Sequence, residues 1–401
     1  MMILRWFCSR TVRQAVDLRK HVWRLTQAQR DLLSPRAVEA LAVAAVPLQT
    51  ALQTGAGRDV LHTRMTELEA AANRWLKPYP HANYRENVEV ILVAAVVALA
   101  IRTFFLQPMK IPTGSMQPTL YGVTAYNLEN QPAADWPSPL ARWMEAWLYG
   151  TSYYHVVAKS EGELREIEAP RRVLPFIKKQ RFLVGDTWYT IWLPPANLPA
   201  RGLVPADQLL FVHAHLQAGR IYHAGEDLIK LKVVTGDHLF VNRMTYNFRH
   251  PQRGEIVIFE TRGINKLPAD TYYIKRLVAL GNDRVRIGND QHLIINGQRL
   301  DANTPHFENI YNFAPEPKEY AYFGHVNGLI GERFHSPGMA ELFPGETREF
   351  TVRSNHFLVM GDNTMNSYDS RYWGDFPQEK VIGKAGFIYW PLSSRFGWAY
   401  R

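Results

Sequence analysis

With 401 residues, 46% of them hydrophobic and 12% aromatic, the chain can bury a sizeable core and is too long for one small domain. A single cysteine, Cys8, excludes a disulfide within the chain and a Cys-rich zinc site. The net charge of +9 is unevenly placed: residues 1–85 hold thirteen Lys and Arg against six Asp and Glu, so the rest is nearly neutral, which argues against a nucleic-acid groove there.

Residues 1–87 read as helical. Ala15, Leu18, Val22, Leu25, Ala28 and Leu32 recur at spacings of three and four, as do Leu61, Met65, Leu68, Ala72 and Trp75, which predicts two amphipathic helices able to pair as a hairpin. The Ala-rich residues 37–48 are too short to cross a bilayer and carry Glu39 and Pro47, so they are read as a helix packed on its neighbours. The first eight residues make a poor secretory signal because Arg5 breaks a short apolar run.

Residues 88–106 form the one long apolar run. As a helix it would measure roughly 28 Å at 1.5 Å per residue, close to the hydrocarbon thickness of a bilayer. Glu89 lies at one end, and Arg102 near the other can reach the headgroups along its alkyl stem. The alternative is a buried core helix. Arg74, Lys77 and Arg85 precede the run, so the positive-inside rule places residues 1–87 in the cytoplasm and everything from Gln107 outside.

Lys110-Ile111-Pro112-Thr113-Gly114-Ser115-Met116-Gln117-Pro118-Thr119-Leu120 follows the run at once. A serine in a loop bracketed by Pro and Gly sits at a backbone bend where its Oγ and nearby N–H groups can face a cleft, which suits a nucleophile. Taken alone, the same string also reads as an ordinary polar turn. Residues 124–235 carry Trp136, Trp143, Trp147, Trp188 and Trp192 among strand-like runs and are read as an inserted, mostly β subdomain whose aromatics fill its own core, the alternative being that they mark a binding surface. His213 and His215 flank Ala214 in an apolar, strand-like stretch, and no His or Cys spacing in the chain suits a metal.

From Gly236 the pattern is all β. Leu239 and Val241, then Glu255-Ile256-Val257-Ile258-Phe259, read as two strands joined by a long hairpin across Pro251-Gln252-Arg253-Gly254. Residues 272–280 are a further strand, residues 284–287 and 292–295 form a hairpin, and Asn296-Gly297 makes a tight turn. Residues 301–346, rich in Pro, Gly and His, look like a second insertion. Residues 347–360 lead a strand into the Gly361-Asp362-Asn363 turn.

Lys275 lies in the middle of an apolar strand, where burial disfavours an ammonium and lowers its pKa, so that it can serve as a general base; without the other motifs it reads rather as a lysine reaching water from a sheet edge. Arg276 points to the opposite face and stays charged. In extended geometry Ser367, Asp369 and Arg371 alternate onto one face, so that Asp369 and Arg371 can pair while Ser367 orients a neighbour; the other reading is an Asx-rich turn that stabilises itself.

In this order, behind an apolar run, the serine loop, Gly236-Asp237-His238-Leu239-Phe240-Val241-Asn242-Arg243, Tyr273-Ile274-Lys275-Arg276-Leu277-Val278, and Met360-Gly361-Asp362-Asn363 with Asn366-Ser367-Tyr368-Asp369-Ser370-Arg371-Tyr372-Trp373-Gly374 resemble the bacterial type I signal peptidases. The resemblance covers residues 84–122, 236–300 and 347–391. It implies a mainly β catalytic domain (a signal-peptidase-like β fold) of residues 107–123 and 236–401, β-rich insertions at 124–235 and 301–346, one transmembrane helix at 88–106, and a helical cytoplasmic region at 1–87. By position it makes Ser115 the nucleophile and Lys275 the general base, with Ser367 orienting the lysine and Asp369 beside it. Thr113 would help the Ser115 N–H form the oxyanion hole, and Ile111, Pro112 and Met116 would lie near the pocket for small substrate side chains.

The implied activity is a membrane-bound serine endopeptidase that removes signal peptides from exported preproteins after small-x-small, Ala-x-Ala-like sites. It would sit on the outer, periplasmic face of the bacterial cytoplasmic membrane, with phospholipid and the secretion translocon as partners and with no cofactor, metal or nucleic acid. Two departures, Thr364-Met365 for Arg-Asp and Leu280-Gly281-Asn282-Asp283 for Leu-Pro-Gly-Asp, bear on supporting ion pairs and turn geometry rather than on reaction class. Two other readings stand beside this one. The first is a Ser-Lys peptidase that cleaves itself or a regulator, as the SOS-response repressors do, against which the apolar run argues; the second is a membrane-anchored β-rich interaction protein without catalysis.

Overall fold

The computed structural model describes residues 9–78, 82–129, 136–175, 177–195, 198, 209–312, 324–334, 336 and 338–399. Residues 1–8, read above as a poor secretory signal, lie outside them, as does part of the segment read as a second insertion. Two compact units, Met1–Ala95 and Val96–Arg401, divide the chain.

In the first unit three helices pack on one another: α1 (Arg10–Ala28), α2 (Pro35–Thr54) and α3 (Arg58–Trp75). Ser9 and Ser34 accept hydrogen bonds from Val12 N and Ala37 N, satisfying backbone donors at the starts of α1 and α2. The left-handed Gly55 ends α2. Leu41, Leu48, Ala51 and Leu52 give α2, the Ala-rich helix expected to pack on its neighbours, a buried stripe that meets Ala15 of α1 and Leu61 and Leu68 of α3 in one core.

The apolar run is helical from α4 (Ala82–Ala100) through a π-turn (Ile101–Phe105). The 22 residues Tyr84–Phe105 are long and apolar enough to cross a membrane, and no part of that window is buried within the chain, which removes the buried-core alternative.

From residue 106 the chain is mostly β. β1 (Leu106–Lys110) and β2 (Thr124–Asn127) flank the serine loop. After α5 (Pro139–Tyr149) come β3 (Thr151–Val157), β4 (Gly162–Ile167), β5 (Arg171–Leu174), β6 (Ile177–Val184) and β7 (Thr187–Trp192). The short α6 (Leu209–His213) precedes β8 (Ile221–Tyr222), β9 (Asp227–Val234), β10 (His238–Asn242), β11 (Ile256–Glu260) and the lysine strand β12 (Tyr272–Ala279). β13 (Arg284–Ile287), β14 (Leu293–Ile295), β15 (Gln298–Arg299), β16 (Phe350–Thr351) and β17 (His356–Met360) follow, and β18 (Phe376–Pro377), β19 (Val381–Trp390) and β20 (Gly397–Trp398) complete the series.

The large antiparallel sheet runs β1-β10-β19-β11-β12-β17-β18, with β20 also on β19. The long hairpin expected between β10 and β11 does not form. β19 lies between them, pairing Ala385 with Val241 on one side and Gly383 with Ile258 on the other. Its ten residues and its register shifts let one strand serve both neighbours, so the connection from β10 to β11 crosses over rather than turning back. β12 lies between β11 and β17, with Lys275 opposite Val257 and Arg276 opposite Met360. In the small sheet β15-β14-β13-β16, Asn296 and Gly297 both have positive φ (52° and 85°), the geometry of a two-residue hairpin turn.

Residues 124–235 build two further sheets, β2-β9-β3 and β5-β6-β4-β8 with β7 on β6. Their shared core is Phe182, Tyr189, Phe211 and aliphatic residues such as Leu164 and Ile229. The tryptophans assigned to that core stand elsewhere: Trp143, Trp147, Trp188 and Trp192 are all exposed. Phe182 and Val184 of β6 with Leu228, Ile229, Leu231 and Val233 of β9 already fill the interior, which leaves the indoles to outer faces. The stretch around His213 is the helical turn α6 rather than a strand, with His213 buried.

Candidate active site

Ser115 lies in the loop between β1 and β2. Ile111 N donates to Asp237 O at 2.9 Å and Val123 N to Pro112 O at 3.2 Å, which pins both limbs of the loop. Gly236 permits the approach, since a Cβ there would lie 1.8 Å from Ile111 O. The buried Asp237 carboxylate accepts from Tyr121 N at 2.7 Å and from Arg395 Nε and Nη2 at 2.9 and 2.8 Å, and the Arg395 guanidinium stacks 4.0 Å above the Tyr121 ring. Arg395 had no local sequence signal, because its partner lies 158 residues away.

β12 brings Lys275 to this loop, where Nζ donates to Ser115 Oγ at 2.6 Å. Both residues are 5% exposed. Burial pulls the Lys275 pKa down to about 8, against the opposing pull of the Asp369 and Asp362 carboxylates and with a smaller contribution from the Arg371 cation. A free amine is therefore accessible near neutral pH.

The Gly361-Asp362-Asn363 turn clamps the loop from behind. Asn363 N donates to Ser115 O at 3.1 Å and Asn363 Nδ2 to Gly114 O at 3.0 Å. The neighbouring Arg276 does more than face away from Lys275. Its Nε and Nη2 donate to the two oxygens of Asp362 at 2.8 and 2.6 Å, its Nη1 to Gly254 O at 2.6 Å, and Thr119 Oγ1 donates to Asp362 Oδ2 at 2.5 Å. One strand thus supplies an amine to the cleft and a guanidinium to the scaffold beneath it.

Ser367, Asp369 and Arg371 do not alternate along an extended segment. A 3-10 turn (Thr364–Asn366) and a helical turn (Ser370–Trp373) fold it tightly, with Asp369 capping the second turn. Asp369 and Arg371, both fully buried, pair through Arg371 Nε at 2.8 Å and Nη2 at 3.0 Å, and Gly361 N donates to Asp369 Oδ2 at 3.0 Å. Burial alone would raise the Asp369 pKa, but the Arg371 guanidinium and the Gly361 N–H outweigh it and hold the carboxyl below its usual range. Arg371 also donates to Thr364 Oγ1, Thr364 O and Val326 O. Ser367 Oγ is buried and forms no hydrogen bond of good geometry, with Lys275 Nζ or otherwise, among the described residues, though it lies close enough to the Asp369 carboxyl to help hold its pKa down.

The cleft in front of Ser115 and Lys275 holds about 490 Å³. Pro112, Thr113 and Ser367 line it. Ile111 and Met116, expected near the substrate pocket, do not. They are 3% and 0% exposed and pack with Leu120, Leu239 and Ile258 in the core beneath the loop. An apolar residue beside a nucleophile reads the same in sequence whether it faces a pocket or a core. The walls are instead Tyr272, Tyr273, Ile274, Met365, Tyr368 and Tyr372. Sequence reasoning missed the tyrosines, although the place of Tyr273 two residues before the candidate base Lys275, on the same face of the strand, was the available signal.

A serine hydroxyl held by a buried, readily neutralised lysine is the arrangement of a serine hydrolase that uses lysine as its base. The family model described as signal peptidase, peptidase S26, matches residues 84–132 and 226–390, more than half of the chain, and the chain belongs to that family. A probable signal peptidase I-2 of Synechocystis sp. is 33% identical over 157 residues, which are 39% of this chain and 56% of that protein. A signal peptidase I of Leptolyngbya laminosa is 28% identical over 160 residues, 39% of this chain and 62% of that protein. The chain thus spans somewhat over half the length of these relatives. A crystal structure of a signal peptidase I from Enterococcus faecalis V583 is similar over 34% of this chain and 97% of that one, at 24% identity and a TM-score of 0.23, too low to add to the sequence match.

Gly361 sets the depth at which the serine loop sits. A Cβ there would lie 2.2 Å from Ser367 Oγ and 2.4 Å from Ser115 O. Gly361→Ala is expected to lower stability by about 1–3 kcal/mol through overpacking and to reduce turnover by displacing Ser115. Ser367→Ala alone removes no backbone clash, so its melting temperature should stay nearer the parent's than that of Gly361→Ala, whose Cβ also meets Ser115 O. Thermal melts and cleavage rates of the two variants check this.

Proposed function

We propose that this chain is a membrane-anchored serine endopeptidase that removes N-terminal signal peptides from exported preproteins, cutting after small-x-small sequences. The observation that carries the reading is the 2.6 Å contact from Lys275 Nζ to Ser115 Oγ at a cleft, in a chain of the peptidase S26 family.

In this reading a neutral Lys275 takes the Oγ proton as Ser115 attacks the scissile carbonyl, and the resulting ammonium returns that proton to the leaving amine. The same amine then activates water to release the acyl group. The Ser115 N–H and the Thr113 hydroxyl receive the developing oxyanion. Ser367 orients the amine and Asp369 backs it, which is supported by the buried Ser367 Oγ lying beside the Asp369 carboxyl on the same cleft. An extended substrate offers backbone hydrogen bonds and alternate side chains, and small ones fit against Pro112, Ile274 and Met365.

The chain would cross the bacterial cytoplasmic membrane once through Tyr84–Phe105, with the basic residues 1–85 inside and the cleft outside. Phospholipid surrounds the span, and the secretion translocon delivers the substrate.

Activity should follow the amine. Below a pKa of about 8 the ammonium cannot accept a proton, so kcat/KM should fall about tenfold per pH unit on the acid side and level off above pH 8. Lys275→Arg carries a guanidinium that stays protonated, and Lys275→Ala carries no base; both should lose about 10²–10⁴-fold in rate. Near-normal turnover in either variant would sink the dyad.

Protease added to intact spheroplasts should digest the portion after Gln107 and spare residues 1–85. Protection of the opposite part would overturn the topology.

For specificity, a preprotein with Ala-x-Ala before the cut should be processed and its Leu-x-Leu counterpart should not. Each added carbon in a small pocket costs about 1–3 kcal/mol, which compounds to orders of magnitude in rate. Equal product yields by mass spectrometry for the two substrates would remove the signal-peptidase reading while leaving Ser115 as a possible nucleophile for other chains.

A further inference from the structure

β5 and β6 form a hairpin at the edge of the five-stranded sheet, and its register sets Arg171 opposite Lys179 and Arg172 opposite Lys178. Like charges directly opposed across an antiparallel pair repel one another. None of the four has an ion-pair partner among the described residues. Glu168, a carboxylate on which Arg171 and Lys179 act, is already held by Arg181 at 2.6 and 3.1 Å. Cations on β5 alone would serve to block edge-to-edge pairing. That role explains neither the two lysines facing them nor what lies beyond.

Beyond the cations the hairpin ends in apolar side chains, with Val173 47% and Leu174 57% exposed. Trp192 pairs in register with Lys179, and Leu193 N donates to Lys178 O at 2.8 Å, so two more apolar residues, each 57% exposed, stand beside the same end. An apolar tip, an indole at its side and a collar of unpaired cations match the layers of a bilayer surface: acyl boundary, interface and headgroup. A nucleic acid or an acidic polypeptide would use the collar and leave the tip in water.

We propose that this hairpin is a second membrane contact, its tip entering the acyl boundary while Arg171, Arg172, Lys178 and Lys179 take up anionic phospholipid headgroups. The proposal rests on the reading that Tyr84–Phe105 anchors the chain. Tethering makes the second contact intramolecular, so a weak one suffices.

The test uses the full chain with Cys8→Ser, carrying an environment-sensitive fluorophore at Leu174→Cys and, separately, at Asp186→Cys on the turn at the other end of β6. Each is reconstituted into phosphatidylcholine vesicles with and without phosphatidylglycerol, with nitroxide-bearing lipid as quencher. With phosphatidylglycerol the label at 174 should shift to the blue and be quenched, high salt should reverse this, and the label at 186 should stay in water. Lys178→Gln and Lys179→Gln, checked for an unchanged melting temperature, should each weaken insertion about fivefold. A label at 174 that stays in water while the protein floats with the vesicles overturns the proposal and leaves the anchor standing; failure to float overturns both. Equal insertion without phosphatidylglycerol, or a shift produced by DNA or an acidic polypeptide instead of by vesicles, also overturns it.

Discussion

Burying an amine beside a serine hydroxyl is the constraint on which the rest of this site depends. Lys275 is 5% exposed, and within the same buried region lie Arg276, Asp362, Asp369 and Arg371, none more than 4% exposed. Five ionisable groups removed from water would be very costly if left unmatched. The arrangement matches four of them and leaves the fifth. Asp362 is taken by Arg276 and Asp369 by Arg371, each through two nitrogens. With both carboxylates already engaged, neither forms an ion pair with Lys275, so burial dominates and the amine loosens its proton. A free carboxylate in place of either pair would hold the ammonium charged, against the role proposed for Lys275.

The same pairs build the backbone around the reaction. Lys275 and Arg276 are neighbours on β12 and so face opposite sides of the sheet. Through Arg276, Asp362 fixes the turn whose Asn363 holds the Ser115 carbonyl and the Gly114 carbonyl. Through Arg371, Asp369 fixes the following turn, which sets Ser367 and Tyr368 at the cleft. The distance between amine and hydroxyl is thus set by buried ion pairs and a sheet register, not by the loop alone.

Legibility in the sequence followed the range of the interactions. The apolar run, the Asn296-Gly297 turn and a lysine amid apolar strand neighbours are local patterns, readable because period, length and turn chemistry act within a few residues. The place of β19 between β10 and β11 was not readable, since strand order depends on pairings more than a hundred residues apart. Nor was the Asp237–Arg395 pair, for the same reason. Ile111 and Met116 looked like pocket residues and are core; Trp143 and Trp192 looked like core and are exposed. In both cases composition reports that a side chain is apolar, and only the completed sheet decides what it faces. Tyr273 and Tyr368 line the cleft by the same logic, because the strand and turn that carry the chemistry also choose its walls.

Thr364 shows how a buried turn is satisfied without adding a charge. It is fully buried, and its Oγ1 accepts from Arg371 Nη1 at 2.9 Å and from Val326 N at 2.9 Å. A second guanidinium there would bring two cations together away from water, with Asp369 already committed to Arg371. The hydroxyl instead accepts two donors and costs no charge. One of those donors, and a further acceptor for Arg371 in Val326 O, comes from the 301–346 segment, whose Ile310, Val326, Ile330 and Phe343 pack into one core with Leu293 and Met360. That segment is therefore joined to the turn around Ser367 by hydrogen bonds as well as by packing: Thr364 Oγ1 gains a backbone donor that the segment brings, and the segment's buried Val326 amide gains its acceptor.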